Sequence, residues 1–280
     1  MKTFRDRVAV VTGGASGIGR ALAERFAAEG MKIVLADVED AALAAAAREM
    51  SDAGATVVAV RTDVAQLADI ETLADRAWSA YGAVHVLCNN AGVSGGGLSW
   101  EVSAAEWEWV LGVNLWGVIH GVRTFVPRML AGGDEGHVVN TASVAGLTTA
   151  PGMGAYNVSK FGVVALSEVM HHELGMLGAK LKVSVLCPAW VNTRIIDSDR
   201  NRPGEPSGPG ANPGFDAMRE TVRGLVEAGL PPSRVAELVF EAIRDERLYV
   251  LTHPDFLPLV RHRMEGIIEG TNPSFGGFGR

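Results

Sequence analysis

The sequence predicts a doubly wound α/β fold: one parallel sheet of about seven strands with helices on both faces, in a single domain over residues 1–280. Three observations lead there. Short β-rich runs alternate with alanine-rich helical runs through most of the chain, the pattern of repeated strand–helix–strand units. The strand runs are continuously apolar rather than alternating, as suits strands covered on both faces. A glycine-rich turn joins the first strand run to the first helical run, and folds of this class hold ligands at the carboxyl ends of their strands.

The strand candidates, in order, are "RVAVVT" (7–12), "KIVLAD" (32–37), "TVVAVRTD" (56–63), "AVHVLCNN" (83–90), "GHVVNTAS" (136–143), "KLKVSVLCP" (180–188) and the short "RLYVLT" (247–252). A helical segment separates each from the next, beginning with "GIGRALAERFAAEG" (17–30). Residues 194–214, "RIIDSDRNRPGEPSGPGANPG", break the rhythm with four prolines and four glycines. They predict a long loop after the sixth strand, at the ligand end of the sheet, opening an insertion at about 194–230. Such a loop is either a mobile lid over a substrate pocket or a plain surface insertion. The tail, "DERLYVLTHPDFLPLVRHRMEGIIEG", reads as a strand, then Pro254, then an amphipathic helix, with an extension over about 252–280.

Composition excludes several classes. Hydrophobic residues make up 48% and charged residues 20%, ordinary for a packed globular protein, and the net charge of −7 argues against a nucleic-acid binder. No apolar run reaches the ~18 residues of a membrane span, and the N-terminal apolar run is shorter than a secretory signal core. Cys88 and Cys187, far apart, read as free buried thiols of a reducing compartment, so a cytoplasmic location is expected. The histidines, including His171 and His172, form no metal-ligand spacing, and no metal is expected. Trp100, Trp107, Trp109 and Trp116 cluster near one helical segment, where helix packing is the default role for aromatics.

The glycine-rich turn is "TGGASGIG" (12–19). Gly13, Gly17 and Gly19 permit a tight turn and let backbone N–H groups approach an anion, with the helix dipole adding to them. Asp37 ends the second strand 18 residues after Gly19, where an acid can accept hydrogen bonds from the adenosine ribose hydroxyls. The same carboxylate repels a 2′-phosphate, by ~1 kcal/mol in water and ~4 kcal/mol at an effective dielectric of 20 for unit charges 4 Å apart. No Arg or Lys stands at Ser16 or just after Asp37, so NAD is expected over NADP. Further on, "YNVSK" (156–160) sets Tyr156 four residues before Lys160, on one helix face. A cation beside a phenol lowers its pKa, and bringing a tyrosine from ~10 to about 7 takes roughly 4 kcal/mol. The expected product is a general acid/base working near neutral pH.

With these motifs in this order, the sequence resembles the short-chain dehydrogenase/reductase family, in its NAD-preferring Tyr-x-x-x-Lys form, from about residue 5 to 250. The marks are Thr12-Gly-x-x-x-Gly-x-Gly19, Asp63-Val64, Asn89-Asn-Ala-Gly92, Asn114 in "VNLWG", Ser143, and Tyr156-x-x-x-Lys160. The resemblance implies a Rossmann-like NAD-binding fold and an oxidoreductase acting on a secondary alcohol or ketone. Tyr156 would exchange the proton with the substrate oxygen. Lys160 would lower its pKa and hold the nicotinamide ribose. Ser143 would hydrogen-bond the reacting oxygen, and Asn114 would maintain a water linking Lys160 to solvent. Cofactor contacts would come from Gly13, Ser16, Gly17, Ile18 and Gly19, from Asp37, Asp63 and Val64, and from Asn90, Ala91 and Gly92. Tyr156, Lys160, Val191 and Thr193 would complete them. The family's usual Pro-Gly after the sixth strand is Pro188-Ala189 here, which requires a negative φ at that turn. Trp190, just beyond it, is a candidate substrate contact, as is Met153. The tail is similar in layout to relatives that oxidise bulky benzylic alcohols, though a tail covering the sheet edge or a subunit contact explains it equally well. Dimers or tetramers are usual in the family. An NADP-linked ketoreductase and a non-catalytic dinucleotide sensor are the alternatives; Ser16 and Asp37 weigh against the first, and Tyr156 with Lys160 against the second.

Overall fold

The computed structural model describes residues 1–204 and 213–275. Seven parallel strands form one sheet in the order β3-β2-β1-β4-β5-β6-β7, a Rossmann-like arrangement. The strands are β1 (Val8–Thr12), β2 (Lys32–Asp37), β3 (Val57–Arg61), β4 (Val86–Asn89), β5 (Gly136–Thr141), β6 (Leu181–Cys187) and β7 (Tyr249–Leu251). The helices are α1 (Gly17–Ala28), α2 (Asp40–Asp52), α3 (Leu67–Tyr81), α4 (Ala104–Leu111), α5 (Gly117–Gly132), α6 (Gly154–Met176), α7 (Pro213–Glu227), α8 (Pro232–Asp245) and α9 (Leu257–Glu269). Strand order reverses between β1 and β4, which opens a crevice at their carboxyl ends.

The apolar runs divide between two cores. In β2, Ile33 and Leu35 face one core, and Val34 and Ala36 face the other. In β1 the split is Ala9 and Val11 against Val8 and Val10. The first core takes Leu22 and Phe26 of α1, Leu43 of α2, and Val239 and Ile243 of α8. The second takes Leu73 of α3, Phe125 of α5 and Leu174 of α6. A strand buried on both faces therefore has no polar face to alternate with. The two edge strands differ: Ala59 and Arg61 of β3 and Tyr249 of β7 are exposed.

Three details depart from the sequence reading. The loop expected over 194–214 starts with a 3-10 helix, Ile195–Asn201, and α7 begins at Pro213; residues 205–212 lie outside the described part. Short polar side chains can stabilise such a turn locally, as Ser198 does by donating its hydroxyl to Ile195 O. Asn114 lies in a π-helical turn, Gly112–Trp116, between α4 and α5, not in a regular helix. The tryptophans do not share a packing role: Trp100 is 80% exposed and Trp116 50%, while Trp107 packs beside Val110 and Ala155. Among the described residues, no helix is long and apolar enough to cross a membrane.

Several buried polar groups are paired across the layers, while Asn89 Oδ1 and His137 Nδ1 are buried without a partner. Asn89 Nδ2 donates to Asn140 Oδ1 (2.9 Å), Asn140 Nδ2 to Ser167 Oγ (3.0 Å), and Ser167 Oγ to Val163 O (2.7 Å), which pins α6 to β4 and β5. His137 of β5 is fully buried, with Nε2 2.7 Å from Ser184 Oγ, and Ser184 in turn donates to Arg247 O at 2.6 Å. The serine proton is thus used, so Nε2–H of a neutral imidazole is the donor. Burial, with the N-terminal ammonium and Lys182 adding to it, pushes the His137 pKa down to about 3. Since unfolded histidine binds its proton near ~6.5, the His137 contribution to stability is complete above that pH and is lost as pH falls towards 3. The loss should reach roughly 3 kcal/mol by pH 4, at about 1.4 kcal/mol per unit. Urea titrations of wild type and His137→Leu between pH 7 and 4 should therefore converge or cross; parallel pH profiles would refute this account.

Candidate active site

The crevice at the β1/β4 reversal opens into a cleft of about 390 Å³. Its first wall is the turn after β1. Gly13 (φ 64°) and Gly17 (φ 55°) are left-handed, a conformation strained for any residue with a Cβ. A Cβ on Gly19 would lie 2.1 Å from Gly13 O, so the turn can close only with glycine there. The Ser16 side chain makes no capping hydrogen bond, leaving the first-turn N–H groups of α1 to an anion in the cleft. Thr12 Oγ1 accepts from Asn90 N (2.9 Å) and Ala91 N (3.1 Å) and donates to Cys88 O (3.2 Å), tying the ends of β1 and β4 together. That structural role of Thr12 was visible in the motif only as a letter.

Asp37 stands at the end of β2, its Oδ2 accepting from Ala15 N (3.0 Å) and its Oδ1 from Glu39 N (3.1 Å). Each carboxylate oxygen keeps a lone pair for a ribose hydroxyl. Asp63 and Val64 follow β3 and line the same cleft; Asp63 Oδ1 accepts from Ala65 N at 3.0 Å. Gly13, Ser16, Gly17, Ile18, Asn90, Ala91, Gly92, Val191 and Thr193 also line it, whereas Gly19 is buried beneath the turn.

The other end gathers Ser143, Tyr156 and Lys160. Ser143 follows β5, accepting from Ala145 N (3.1 Å) and donating to Pro188 O (3.2 Å). Asn157, unremarked in the sequence reading, fastens α6 to that loop: its Nδ2 donates to Ala145 O (2.7 Å) and Thr148 O (2.9 Å). The Tyr156 and Ser143 positions are thereby set against each other. Lys160 is 3% exposed, and its Nζ donates to Thr141 O at 3.0 Å. Asn114 Oδ1 accepts from Val93 N (2.8 Å), and its Nδ2 donates to Val93 O (2.9 Å) and Ser159 Oγ (3.3 Å). A Cβ on Gly92 would sit 3.4 Å from Asn114 Oδ1 and 3.5 Å from Lys160 Nζ, so all three residues converge on one point.

The electrostatics correct one expectation. Burial raises the Tyr156 pKa, with the Ser143 hydroxyl pulling the other way, and burial lowers Lys160 to about 8. The ammonium lies 5.6 Å from the centre of the phenol ring, its hydrogen bond directed to Thr141. Burial of the phenol therefore outweighs the Ser143 hydrogen bond, and the i,i+4 spacing does not by itself lower the Tyr156 pKa.

Two placements differ as well. Trp190 is not among the lining residues of this cleft, although Ala189 and Val191 on either side are; its ring stands edge-on to Phe256, centroids 6.3 Å apart. Met153 lies at the start of α6 and pairs with Gly97 instead of lining the cleft. Trp109 packs against Val93, Val110 and Ala155, as expected of an aromatic in this segment, and also lines the cleft with Val93, Val113, Ala189 and Ile195. The sequence also left unassigned a set of polar lining residues: Glu39, Arg194, Ser198, Arg200 and Asn201. Among the described residues, no group of His, Cys, Asp and Glu is arranged to hold a metal.

Comparison with known proteins agrees with this geometry. A family model described as short chain dehydrogenase matches residues 7–203. A CLA biosynthesis dehydrogenase/reductase of Lactiplantibacillus plantarum is 32% identical over 278 residues, spanning 98% of this chain and 97% of its own length. A C alpha-dehydrogenase of a Sphingobium strain is 32% identical over 274 residues, spanning 98% and 89%. The crystal structure of a short-chain dehydrogenase/reductase from Burkholderia phymatum in complex with NAD superposes with a TM-score of 0.96 at 48% identity, over 99% of each chain. The chain belongs to the short-chain dehydrogenase family.

Proposed function

We propose that this short-chain dehydrogenase uses NAD to interconvert a secondary alcohol, apolar or aromatic, and the corresponding ketone. One observation carries the reading: Ser143, Tyr156 and Lys160 line one cleft together with the glycine turn and Asp37. The glycines at 13, 17 and 19 leave room for a pyrophosphate, and Asp37 keeps acceptors for ribose hydroxyls while opposing a 2′-phosphate. Bound NAD supplies the hydride acceptor, and the protein supplies orientation and charge.

In oxidation, Tyr156 Oη takes the hydroxyl proton as the carbinol C–H is transferred. Ser143 holds the reacting oxygen, and Lys160 stabilises the phenolate. In reduction, Tyr156 returns the proton to the forming alkoxide. Asn114 fixes the Val93 backbone beside Lys160 and keeps that end of the cleft in register. Support for an apolar substrate comes from Val93, Trp109, Val113, Ala189 and Ile195 in the lining. The relatives named as a CLA biosynthesis dehydrogenase/reductase and a C alpha-dehydrogenase support the dehydrogenase reading. The test is NADH formation from NAD with secondary alcohols graded from small aliphatic to bulky aryl. Turnover should rise with apolar bulk and be weaker with NADP; equal activity with NADP, or a preference for the smallest alcohols, would overturn the corresponding part.

A further inference from the structure

The segment after β6 crosses the cleft and is fastened on every side. Ser198 Oγ accepts from Ser94 N at 3.0 Å, on the loop after β4. Arg202 pairs with Glu106 of α4 at 2.7 Å, the two side chains only 8% and 11% exposed. From the outside, Arg223 of α7 binds Asp197 (2.9 Å) and Arg219 binds Asp199 (2.8 Å). The fastening at the adenosine end is of a different kind, because it joins opposite walls of the cleft. Glu39 Oε1 accepts from Arg200 Nε (2.9 Å) and Asn201 Nδ2 (2.9 Å) and lies 2.7 Å from Arg200 Nη2 in an ion pair. Glu39 and Arg200 are 161 residues apart in the chain, and both line the cleft.

The partners are held rigidly. Arg200 Nη1 donates to Arg194 O (3.1 Å) and Asp197 O (2.9 Å), so one edge of the guanidinium locks its own turn while the other reaches Glu39. On the facing wall, Glu39 N donates to Asp37 Oδ1, so the acid facing the ribose and the acid facing the strap belong to one hydrogen-bonded turn. Burial opposes the charge on Glu39, yet hydrogen bonds from Arg200 and Asn201 outweigh it and lower the pKa. The pair is about one-quarter exposed on each side, which leaves it open to screening by salt.

We infer that Glu39, Arg200 and Asn201 form a clasp that closes the cleft over the adenosine half of the bound dinucleotide and sets how fast the cofactor leaves. Glu39 is a positioning residue, with no part in proton or hydride transfer. The clasp also bears on selection against a 2′-phosphate: Arg200, which faces Glu39 across the cleft, is already paired with it and so does not offset the Asp37 charge. This inference rests on the NAD reading above. Opening the mouth of the cleft at this point requires breaking an ion pair and two hydrogen bonds to one carboxylate oxygen, that from Arg200 being charge-assisted.

The test is stopped-flow displacement of NADH, read by NADH fluorescence, from wild type, Glu39→Gln, Arg200→Gln, the double variant and Asn201→Ala. Glu39→Gln and Arg200→Gln should each release NADH roughly tenfold faster, and the double variant no faster than either, because both break the same contact. Asn201→Ala, which leaves the ion pair in place, should show about a two- to threefold increase. Wild-type release should quicken with added KCl, and release from Glu39→Gln should not. Variants that fold with wild-type off-rates, or effects that add in the double variant, overturn the clasp; if the charge variants do not fold, an unchanged off-rate in Asn201→Ala does so. A wild-type protein that binds no NADH overturns the cofactor reading, and the clasp with it, and is told apart from the first outcome by that binding signal alone.

Discussion

Tyr156→Phe should lower turnover by 10²- to 10⁴-fold, the usual worth of a positioned general acid/base, about 3–5 kcal/mol of transition-state stabilisation. The substitution removes one oxygen from a ring set at the start of α6, and the anchors of that helix turn lie elsewhere, in Asn157 and Ser159. Folding and NADH affinity should therefore stay within about threefold of wild type. The pH dependence carries the sign. Burial raises the Tyr156 pKa, so the phenol is the form present at neutral pH, ready to donate in reduction. Oxidation needs the phenolate and should accelerate as pH rises, while reduction slows. Initial rates in both directions across pH 6 to 8, where Lys160 keeps its charge, with Tyr156→Phe beside wild type, check both points. Surviving turnover in Tyr156→Phe, or an oxidation rate that falls with pH, would sink the mechanism.

Lys160→Met should abolish most activity and yet stabilise the fold at neutral pH. Burial lowers the lysine from an ordinary value of 10.5 to about 8, so holding it charged in the native state costs about 3 kcal/mol at ~1.4 kcal/mol per unit. Its hydrogen bond to Thr141 O returns about 1 kcal/mol, leaving a net gain of roughly 2 kcal/mol for a methionine of similar shape. The sign over pH follows from proton binding. Between about pH 8 and 10.5 the unfolded chain holds the Lys160 proton and the folded chain does not, so wild-type stability rises with pH through that window. The advantage of Lys160→Met should then be full below pH 8 and shrink towards 10.5. Cys187 is pushed up to about 12 by burial, with Lys160 pulling the other way, so the folded thiol stays protonated across this window in both proteins and the difference between them reads the lysine. Denaturant midpoints at four pH values across 7 to 10.5 are sufficient, and a variant less stable than wild type at pH 7 would count against this balance.

The two residues of "YNVSK" illustrate how far a motif reaches. Their spacing alone put both side chains on one face of α6, and both line the cleft. The direction of the Tyr156 pKa was another matter: it depends on how deeply the fold buries the phenol and where the ammonium aims its hydrogen, and neither is a property of five residues. Trp109 and Trp190 make the same point for the lining. Trp109 packs as expected and also faces the cleft, while Trp190, a candidate substrate contact, stands against Phe256.

Sequence by itself determined the parallel sheet, the glycine-rich turn and the acid at the end of β2. Each is encoded by contacts within a few residues or by a periodicity: apolar runs long enough for a strand, glycines where a Cβ would collide, an aspartate at a strand terminus. The tertiary structure alone decided what closes the cleft. Glu39 and Arg200 approach only because β2 and β6 end on the same edge of one sheet, and a pairing across 161 residues leaves no local trace in either neighbourhood. Local physics writes itself into the chain as pattern; desolvation and long-range charge pairing exist only once the layers have packed.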